Sequence, residues 1–166
     1  MLGTSEKETI LYHANVVNVS VAVLVQQSDS YLLIRETKKG LEGKWNWPSG
    51  KAHLDEDIIQ AAEREAKEET GLTVKVTDFA SVYYYRTRGN SNDGKMDRIT
   101  VRFNFWGAVS DTESDQLDPQ AEWKTRDDLR DIFQQRLFRN WITRRLTVEA
   151  LENKRLPLDT VVLSDR

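Results

Sequence analysis

The pattern of hydrophobic and polar positions predicts a hairpin near the start of the chain. Val16 to Gln26 is rich in valine and partly alternates with small polar residues, which indicates a β-strand. Residues 28–30, Ser-Asp-Ser, form a turn signal. Tyr31 to Arg35 is therefore predicted to return as the partner strand.

A central helix is predicted after a turn-rich segment. Residues 36–50 contain glycines, a proline and lysines, which favour an ordered loop over a periodic element. Asp55 or Asp57 can cap a helix that runs to about Thr70, and Gly71 is expected to end it.

More strands and a C-terminal helical region follow. Residues 73–85 and 99–109 are rich in β-forming residues and are separated by a polar loop. Thr125 is predicted to start a helical turn, and residues 133–153 carry apolar residues at helical spacing. That last helix is expected to bury against the sheet or to form a homodimer contact. The order of elements predicts a mixed α/β (α+β) fold.

Composition narrows the class of protein. A chain of 166 residues, 39% hydrophobic and 31% charged, is expected to form one globular domain over residues 1–166. The absence of cysteine excludes disulfides and thiolate chemistry. A net charge of −3 disfavours a broad nucleic-acid footprint. No segment approaches the roughly 20 apolar residues of a membrane span, so a soluble, cytoplasmic protein, monomer or homodimer, is expected.

Acidic side chains are concentrated in residues 50–72, which hold seven of them. On a helix, Glu65, Glu68 and Glu69 fall within an arc of roughly 100°. Such carboxylates repel one another unless a positive charge lies between them. Oxygen ligands of this kind suit Mg²⁺ or Mn²⁺. The alternative is a solvated helix face, neutralised in part by Arg64 and Lys67.

The spacing within this segment resembles a known catalytic motif. Gly50, Glu56 and the run REAKEETGL at residues 64–72 reproduce the fixed positions of the Nudix box. The chain is therefore similar to the Nudix (MutT-like) hydrolases. The resemblance implies an α/β/α sandwich with a mixed central sheet and a loop-helix-loop catalytic motif. It also implies Mg²⁺-dependent hydrolysis, with Mn²⁺ as a substitute, of a pyrophosphate bond in a nucleoside di- or triphosphate or another small organic pyrophosphate.

The resemblance also assigns roles by position. Glu65 and Glu69 match metal ligands, and Glu68 matches a ligand or the general base. Glu56 matches an outer ligand, and the Gly50 carbonyl an additional one. Arg64 is expected to orient the glutamates through charge-assisted hydrogen bonds. The implied catalytic set is thus Glu68, Glu65 and Arg64, and the identity of the base stays open.

Two features near the Nudix box vary among members of the family. Many members read Pro-Gly-Gly where this chain reads Pro48-Ser49-Gly50. Some members supply a further acid after the long strand, and Asp118 is preferred here over its neighbours. A solvated loop acid is the alternative for Asp118. The other candidates are Glu113, Asp115 and Glu122.

Substrate contacts are predicted outside the carboxylate cluster. Arg35 and Lys51 are placed for phosphate contact, and His53 could donate a hydrogen bond. On a strand, Tyr84 points opposite to its neighbours and could stack on a ring. Arg86, with Arg88, Arg98 and Arg102, could meet terminal phosphates. Aromatic packing and solvated arginines are the alternative interpretation.

The substrate itself stays open at the level of sequence. Members that cleave ADP-ribose often carry a proline after the box, and none lies between Gly71 and Pro119, which disfavours that substrate. Two segments, KWNWPSGKAHLDED and RRLTVEALENKRLPLD, loosely resemble bacterial Nudix phosphatases that act on thiamine-type pyrophosphates and nucleotides. An RNA 5′-end pyrophosphohydrolase and a catalytically silent Nudix ligand-binding module are the remaining alternatives.

Overall fold

Strands dominate the computed structural model, which describes residues 16–88, 98–110, 115–161 and 163. The strands are β1 (Val16–Gln27), β2 (Ser30–Arg35), β3 (Trp45–Asn46), β4 (Ser49–Lys51), β5 (Val74–Thr87), β6 (Arg98–Val109) and β7 (Ala121–Thr125). The α-helices in the described ranges are α1 (Ile58–Thr70), α2 (Arg126–Gln134) and α3 (Trp141–Glu152), and a 3-10 helix spans Leu158–Thr160. None of these helices is long and apolar enough to cross a membrane.

The strands form one mixed sheet in the order β3-β2-β1-β6-β5, with β4 beside β1 and β7 beside β2. β1 and β6 run parallel over ten residue pairs, from Val16 opposite Arg98 to Val25 opposite Gly107. The other pairings are antiparallel, including the predicted hairpin, in which Gln26 lies opposite Tyr31. The predicted mixed sheet is therefore confirmed.

Both faces of the sheet are covered, because side chains of β1 alternate between two hydrophobic clusters. Val21 and Val23 pack with Ala62 of α1 on one face. Leu24 packs with residues of α2 and α3, such as Leu146, on the other. All five side chains are fully buried. This arrangement is the expected α/β/α sandwich, and we call its two sides the α1 face and the α3 face.

Helix α1 has the ends that its sequence predicts. Asp57 is the N-cap, and its side chain accepts hydrogen bonds from the backbone N–H groups of Ile59 and Gln60 at 2.9 and 2.8 Å. The Gln60 side chain accepts from the Asp57 N–H at 3.0 Å, which completes a capping box. Gly71 ends the helix at φ 76°, a left-handed conformation that glycine adopts readily.

The C-terminal region differs from the prediction, because residues 133–153 do not form one helix. α2 ends at Gln134, Arg136 takes a φ of 55°, and α3 begins at Trp141. Between the helices, Trp45 of β3 donates to the Leu137 carbonyl and accepts from the Arg139 N–H, at 2.9 and 2.8 Å. Strand pairing thus replaces helical hydrogen bonds over this stretch.

Three short strands were also missing from the prediction. β3 lies inside the segment 36–50 that is predicted as a loop, β4 begins at the end of that segment, and β7 precedes α2. Each is held by long-range pairing with β2 or β1, so its local sequence gives little indication of it. Thr125 does cap α2 as predicted, since its side chain accepts from the Asp128 N–H.

Candidate active site

Gly50 and Glu65 form the closest contact between β4 and α1. Antiparallel pairing sets Gly50 opposite Val21 on β1, on whose α1 face the helix packs. A Cβ atom placed on Gly50 would lie only 1.9 to 2.1 Å from the carboxyl atoms of Glu65. Only glycine therefore lets the Glu65 carboxylate lie directly against the β4 backbone.

Arg64 connects three of the predicted carboxylates. It donates to both oxygens of Glu56, from Nε at 2.9 Å and from Nη2 at 2.7 Å. Its Nη1 donates to Glu65 Oε1 at 3.0 Å and lies 3.3 Å from Glu68 Oε1. Nη2 also donates to the Lys51 carbonyl at 2.9 Å. One guanidinium thus ties helix α1 to β4 and to the loop between them.

The bidentate ion pair between Arg64 and Glu56 shifts the pKa values of both groups. The Arg64 side chain lowers the pKa of Glu56 to about 2, assisted by the His53 N–H, while partial burial opposes the shift. In turn, the hydrogen bonds to Glu56 raise the pKa of Arg64 above its usual value. Both groups stay charged at neutral pH, so the loop between β4 and α1 is anchored by a permanent ion pair.

Glu69 is a partly buried acid near the end of α1. Burial raises its pKa to about 7, and the nearby charges of Glu65 and Glu36 add to the shift. The Ser49 N–H, which donates to Glu69 Oε2 at 2.8 Å, and the charge of Arg139 act in the opposite direction. A buried carboxylate in this position favours a cation beside it.

The donor set fits a hard divalent cation in its chemistry. The predicted ligands are four carboxylates and a backbone carbonyl, all oxygen donors of the type that Mg²⁺ and Mn²⁺ prefer. Among the described residues, no group of three or more His, Asp or Glu side chains is already in ligand geometry. Arg64 and the Ser49 N–H hold the carboxylates instead.

Asp118 and Arg35 lie together in a cleft of about 230 Å³ beside the end of α1. Glu68 and Glu69 also line this cleft. The Asp118 N–H donates to the Thr70 carbonyl at 2.8 Å, which fixes the acid next to the helix. Asp115 instead binds Lys67 and the Thr73 N–H, so its carboxylate has a structural role. Glu113 lies outside the described residues.

A larger cleft of about 350 Å³ opens on the α3 face. Gly50, Lys51 and Glu69 line it, and phosphate contact by Lys51 stays a prediction. The other residues of its lining include Ser20, Lys38, Asn46, Tyr85, Arg102, Arg139 and Asn140.

Tyr84 and Arg86 are on the opposite face of the sheet from this cleft. Tyr84 lies opposite Val101 of β6 in the register, whereas Tyr83 lies opposite Arg102. Because side chains alternate along a strand, Tyr83 and Tyr85 share the α3 face and Tyr84 faces away. Tyr84 is 64% exposed there. The structure thus places Tyr85 and Arg102, one of the four candidate arginines, beside the predicted catalytic residues, whereas Tyr84 and Arg86 face away from them.

His53 contacts Glu56 through its backbone N–H group. Its N–H donates to Glu56 Oε1 at 2.9 Å, and its exposed imidazole Nδ1 lies 3.8 Å from the same oxygen. Backbone hydrogen bonding to Glu56 is therefore the contact that the structure shows for this residue.

Comparison with known proteins identifies the family. The family described as the NUDIX domain matches residues 15–146 of the chain. The chain belongs to the Nudix family.

Two relatives and one solved structure support this assignment. The putative nudix hydrolase 1 of Caenorhabditis elegans is 36% identical over 121 residues, which cover 71% of this chain and 31% of the relative. The human 8-oxo-dGDP phosphatase NUDT18 is 36% identical over 121 residues, covering 69% of this chain and 34% of that protein. This Nudix chain thus spans about a third of the length of either relative. A NUDIX hydrolase from Nitrosomonas europaea superposes with a TM-score of 0.71 at 30% identity, covering 90% of this chain and 98% of that one.

Several buried polar residues near the Nudix motif are not predicted by the sequence. The buried carboxylate of Glu36 accepts from Arg139 Nη1 at 2.7 Å, and both residues line the smaller cleft with Glu69. Asn46 is also buried, donates to Ser49 Oγ at 3.3 Å and accepts from Thr143 Oγ1 at 2.9 Å. Arg139 and Thr143 are about a hundred residues in sequence from Glu36 and Asn46, so no local spacing could reveal these two contacts.

Proposed function

We propose that this chain is a metal-dependent hydrolase that cleaves the pyrophosphate bond of a nucleoside di- or triphosphate. The observation that carries the proposal is the Glu65 carboxylate against Gly50, with Glu56 and Glu68 held by the same arginine. A cluster of this kind has little use on a purely structural surface, because its members repel one another.

The residues around the cluster suit a diphosphate. Lys51 and Arg139 line the larger cleft beside Glu69, and Arg35 lines the smaller one. These cationic side chains can bind phosphate oxygens while the carboxylates hold metal. Gly50, Glu56, Glu65, Glu68 and Glu69 would hold one or more divalent cations. Bound there, Mg²⁺ or Mn²⁺ would neutralise the diphosphate charge and lower the pKa of a water molecule.

Within this scheme the chain's own side chains have separate tasks. Arg64 fixes Glu56 and Glu65, so that neither carboxylate needs to reorganise during the reaction. Glu68 is the proposed proton acceptor, because its side chain is 59% exposed and lines the smaller cleft. Its contact with Arg64 at 3.3 Å is also the longest of that set, which leaves its oxygens available to a water molecule.

Nucleoside diphosphates are the first substrates to test. One relative is named an 8-oxo-dGDP phosphatase, and the larger cleft beside the carboxylates contains an aromatic ring, that of Tyr85. Aromatic rings and arginines are suited to bind a base as well as a phosphate.

The test is a turnover assay with a matched pair of variants on helix α1. Phosphate or pyrophosphate release is measured with dGDP, 8-oxo-dGDP, dGTP, ADP-ribose and thiamine pyrophosphate, with Mg²⁺ or Mn²⁺. Glu69→Gln is expected to lower kcat by roughly 100-fold or more, because the substitution removes a metal-binding charge at nearly constant shape. Glu63→Gln is the control, because Glu63 lies on the same helix but binds Lys75 and the Val76 N–H.

The outcomes separate the alternatives. Equal turnover by the wild type and Glu69→Gln would show that the site is assigned wrongly. If the wild type turns over none of these compounds but still binds nucleotides, a silent binding module becomes the better description.

A further inference from the structure

The floor of the larger cleft carries a buried guanidinium that lacks partners on one edge. Arg102 on β6 is only 7% exposed, and its Nε and Nη2 have no hydrogen-bond partner in the part of the chain that the structure describes. The hydroxyl of Ser20, which lies opposite Arg102 in the β1–β6 register, likewise has no partner among the described residues. Leaving such donors unpaired inside a protein costs free energy, so a functional reason is expected.

Among the described residues, no carboxylate accepts a hydrogen bond from Nε or Nη2 of Arg102. Glu149, a buried acid on α3, instead accepts hydrogen bonds from Ser81 at 2.6 Å and Tyr83 at 2.8 Å. Burial lowers the pKa of Arg102, and the groups that oppose this shift are the phenols of Tyr85 and Tyr83. The positive charge of Arg139 lowers the pKa of Arg102 further, and no carboxylate is among these groups, which leaves the free edge of the guanidinium to a ligand.

That free edge has a defined shape. Nε–H and Nη2–H lie side by side on the planar guanidinium and point in nearly parallel directions. Such a fork matches two adjacent acceptors, as in the O6 and N7 pair of guanine or the two oxygens of a carboxylate or phosphate. Adenine and the pyrimidines do not present two adjacent acceptors on the corresponding edge.

The surroundings favour a base over a phosphate. Tyr85 lines the cleft, and the exposed Trp141 ring stands edge-on to it with centroids 6.1 Å apart. An aromatic wall of this kind offers stacking to a flat heterocycle. Lys51, Ser20 and Arg102 are in register on β4, β1 and β6. The Arg102 backbone is therefore about two strand spacings, roughly 10 Å, from the strand that carries Gly50.

We propose, building on the nucleotide hydrolase function above, that Arg102 is a specificity-determining residue that binds the O6 and N7 acceptors of a guanine base. With the diphosphate at Gly50 and Glu69, the sugar would span the rim of the cleft and the base would reach Tyr85 and Arg102. The Ser20 hydroxyl lies in the same row and can serve as a further hydrogen-bonding group for the base.

Binding of nucleoside monophosphates tests this inference without turnover, because these compounds have no pyrophosphate bond. Isothermal titration calorimetry compares dGMP and dIMP, which keep O6 and N7, with 7-deaza-dGMP, which lacks the N7 acceptor. The first two are expected to bind alike, and 7-deaza-dGMP roughly 5- to 100-fold more weakly. 8-oxo-dGMP, whose N7 carries a hydrogen, is expected to follow 7-deaza-dGMP.

Arg102→Met should abolish the difference between dGMP and 7-deaza-dGMP. Its melting temperature should equal or exceed that of the wild type, because an uncompensated buried charge is removed. Arg130→Met is the control, since Arg130 is exposed and pairs with Asp127 on α2; it should keep the preference.

Three results would overturn the inference. They are equal binding of dGMP and 7-deaza-dGMP by the wild type, an unchanged preference in Arg102→Met, and an equal loss of dGMP and dTMP binding in that variant. The last result would assign Arg102 to a phosphate. The wild-type comparison stands even if Arg102→Met fails to fold. Turnover of dGDP, measured in parallel, reports on the proposed hydrolase function separately.

Discussion

At position 50 glycine is needed for the space it leaves in the candidate site and not for its backbone conformation. Gly71 needs glycine for a φ of 76°, whereas Gly50 needs it because the Glu65 carboxyl group fills the space of a Cβ atom. The neighbour in conflict is the end of a long side chain, which can rotate away. A larger residue at Gly50 should therefore displace a carboxylate without disrupting the core.

Gly50→Ala is accordingly expected to reduce kcat by at least about tenfold while the melting temperature changes little. Gly107→Ala is the contrasting variant, because its Cβ would lie 2.7 and 2.8 Å from the buried methyl groups of Val74 and Val23. It should cost about 1 to 3 kcal/mol of stability and spare kcat in the folded fraction. Thermal unfolding and turnover measured on both variants check the pair. Full activity in the Gly50→Ala variant would show that the close contact between Gly50 and Glu65 is not needed for turnover.

The tyrosines of β5 show what a single sequence can predict at this scale. Alternation correctly separates Tyr84 from Tyr83 and Tyr85, because it follows from strand geometry. Which face of the sheet carries the cleft depends on the register with β6 and on the position of α3. Neither can be predicted from the sequence of β5. The prediction that chose Tyr84 for substrate binding therefore selected the face away from the cleft, while Tyr85 lines it.

At the scale of elements, α1 was predictable because its determinants are local. Cap, glycine stop and the spacing of its acids all lie within one short segment. β7 and the break after α2 are different, since both depend on pairing with β2 and β3. Asn140, the N-cap of α3, is a residue type that favours the start of a new helix inside residues 133–153.

The capping box of α1 gives a prediction about this element. Asp57→Ala removes the acceptor for two backbone N–H groups and should cost about 1 kcal/mol of unfolding free energy. Asp57→Asn keeps an acceptor oxygen and should remain near the wild type. Urea unfolding at neutral pH measures both variants. If Asp57→Ala matches the wild type, the cap contributes no net stability.

At the scale of the whole molecule, both faces of the sheet contribute residues to the candidate site. α1 brings its carboxylates to β4 from one side, and the larger cleft opens toward α3 on the other. β1 joins them, because it pairs with β4 along one edge and with β6 along the other. Glu69 belongs to both clefts, so metal binding there should influence the entire fold.

Divalent metal is expected to raise the melting temperature, because a ligand that binds the folded chain alone stabilises it by mass action. At a hundredfold excess over Kd the gain is about 2.7 kcal/mol, equivalent to roughly 5 to 10 °C for a chain of this size. Differential scanning calorimetry with Mg²⁺, against NaCl at equal ionic strength, measures the shift. Glu69→Gln should show a smaller shift and Glu63→Gln an unchanged one, since Glu63 pairs with Lys75. Equal shifts in all three proteins would place the metal away from the carboxylates of α1.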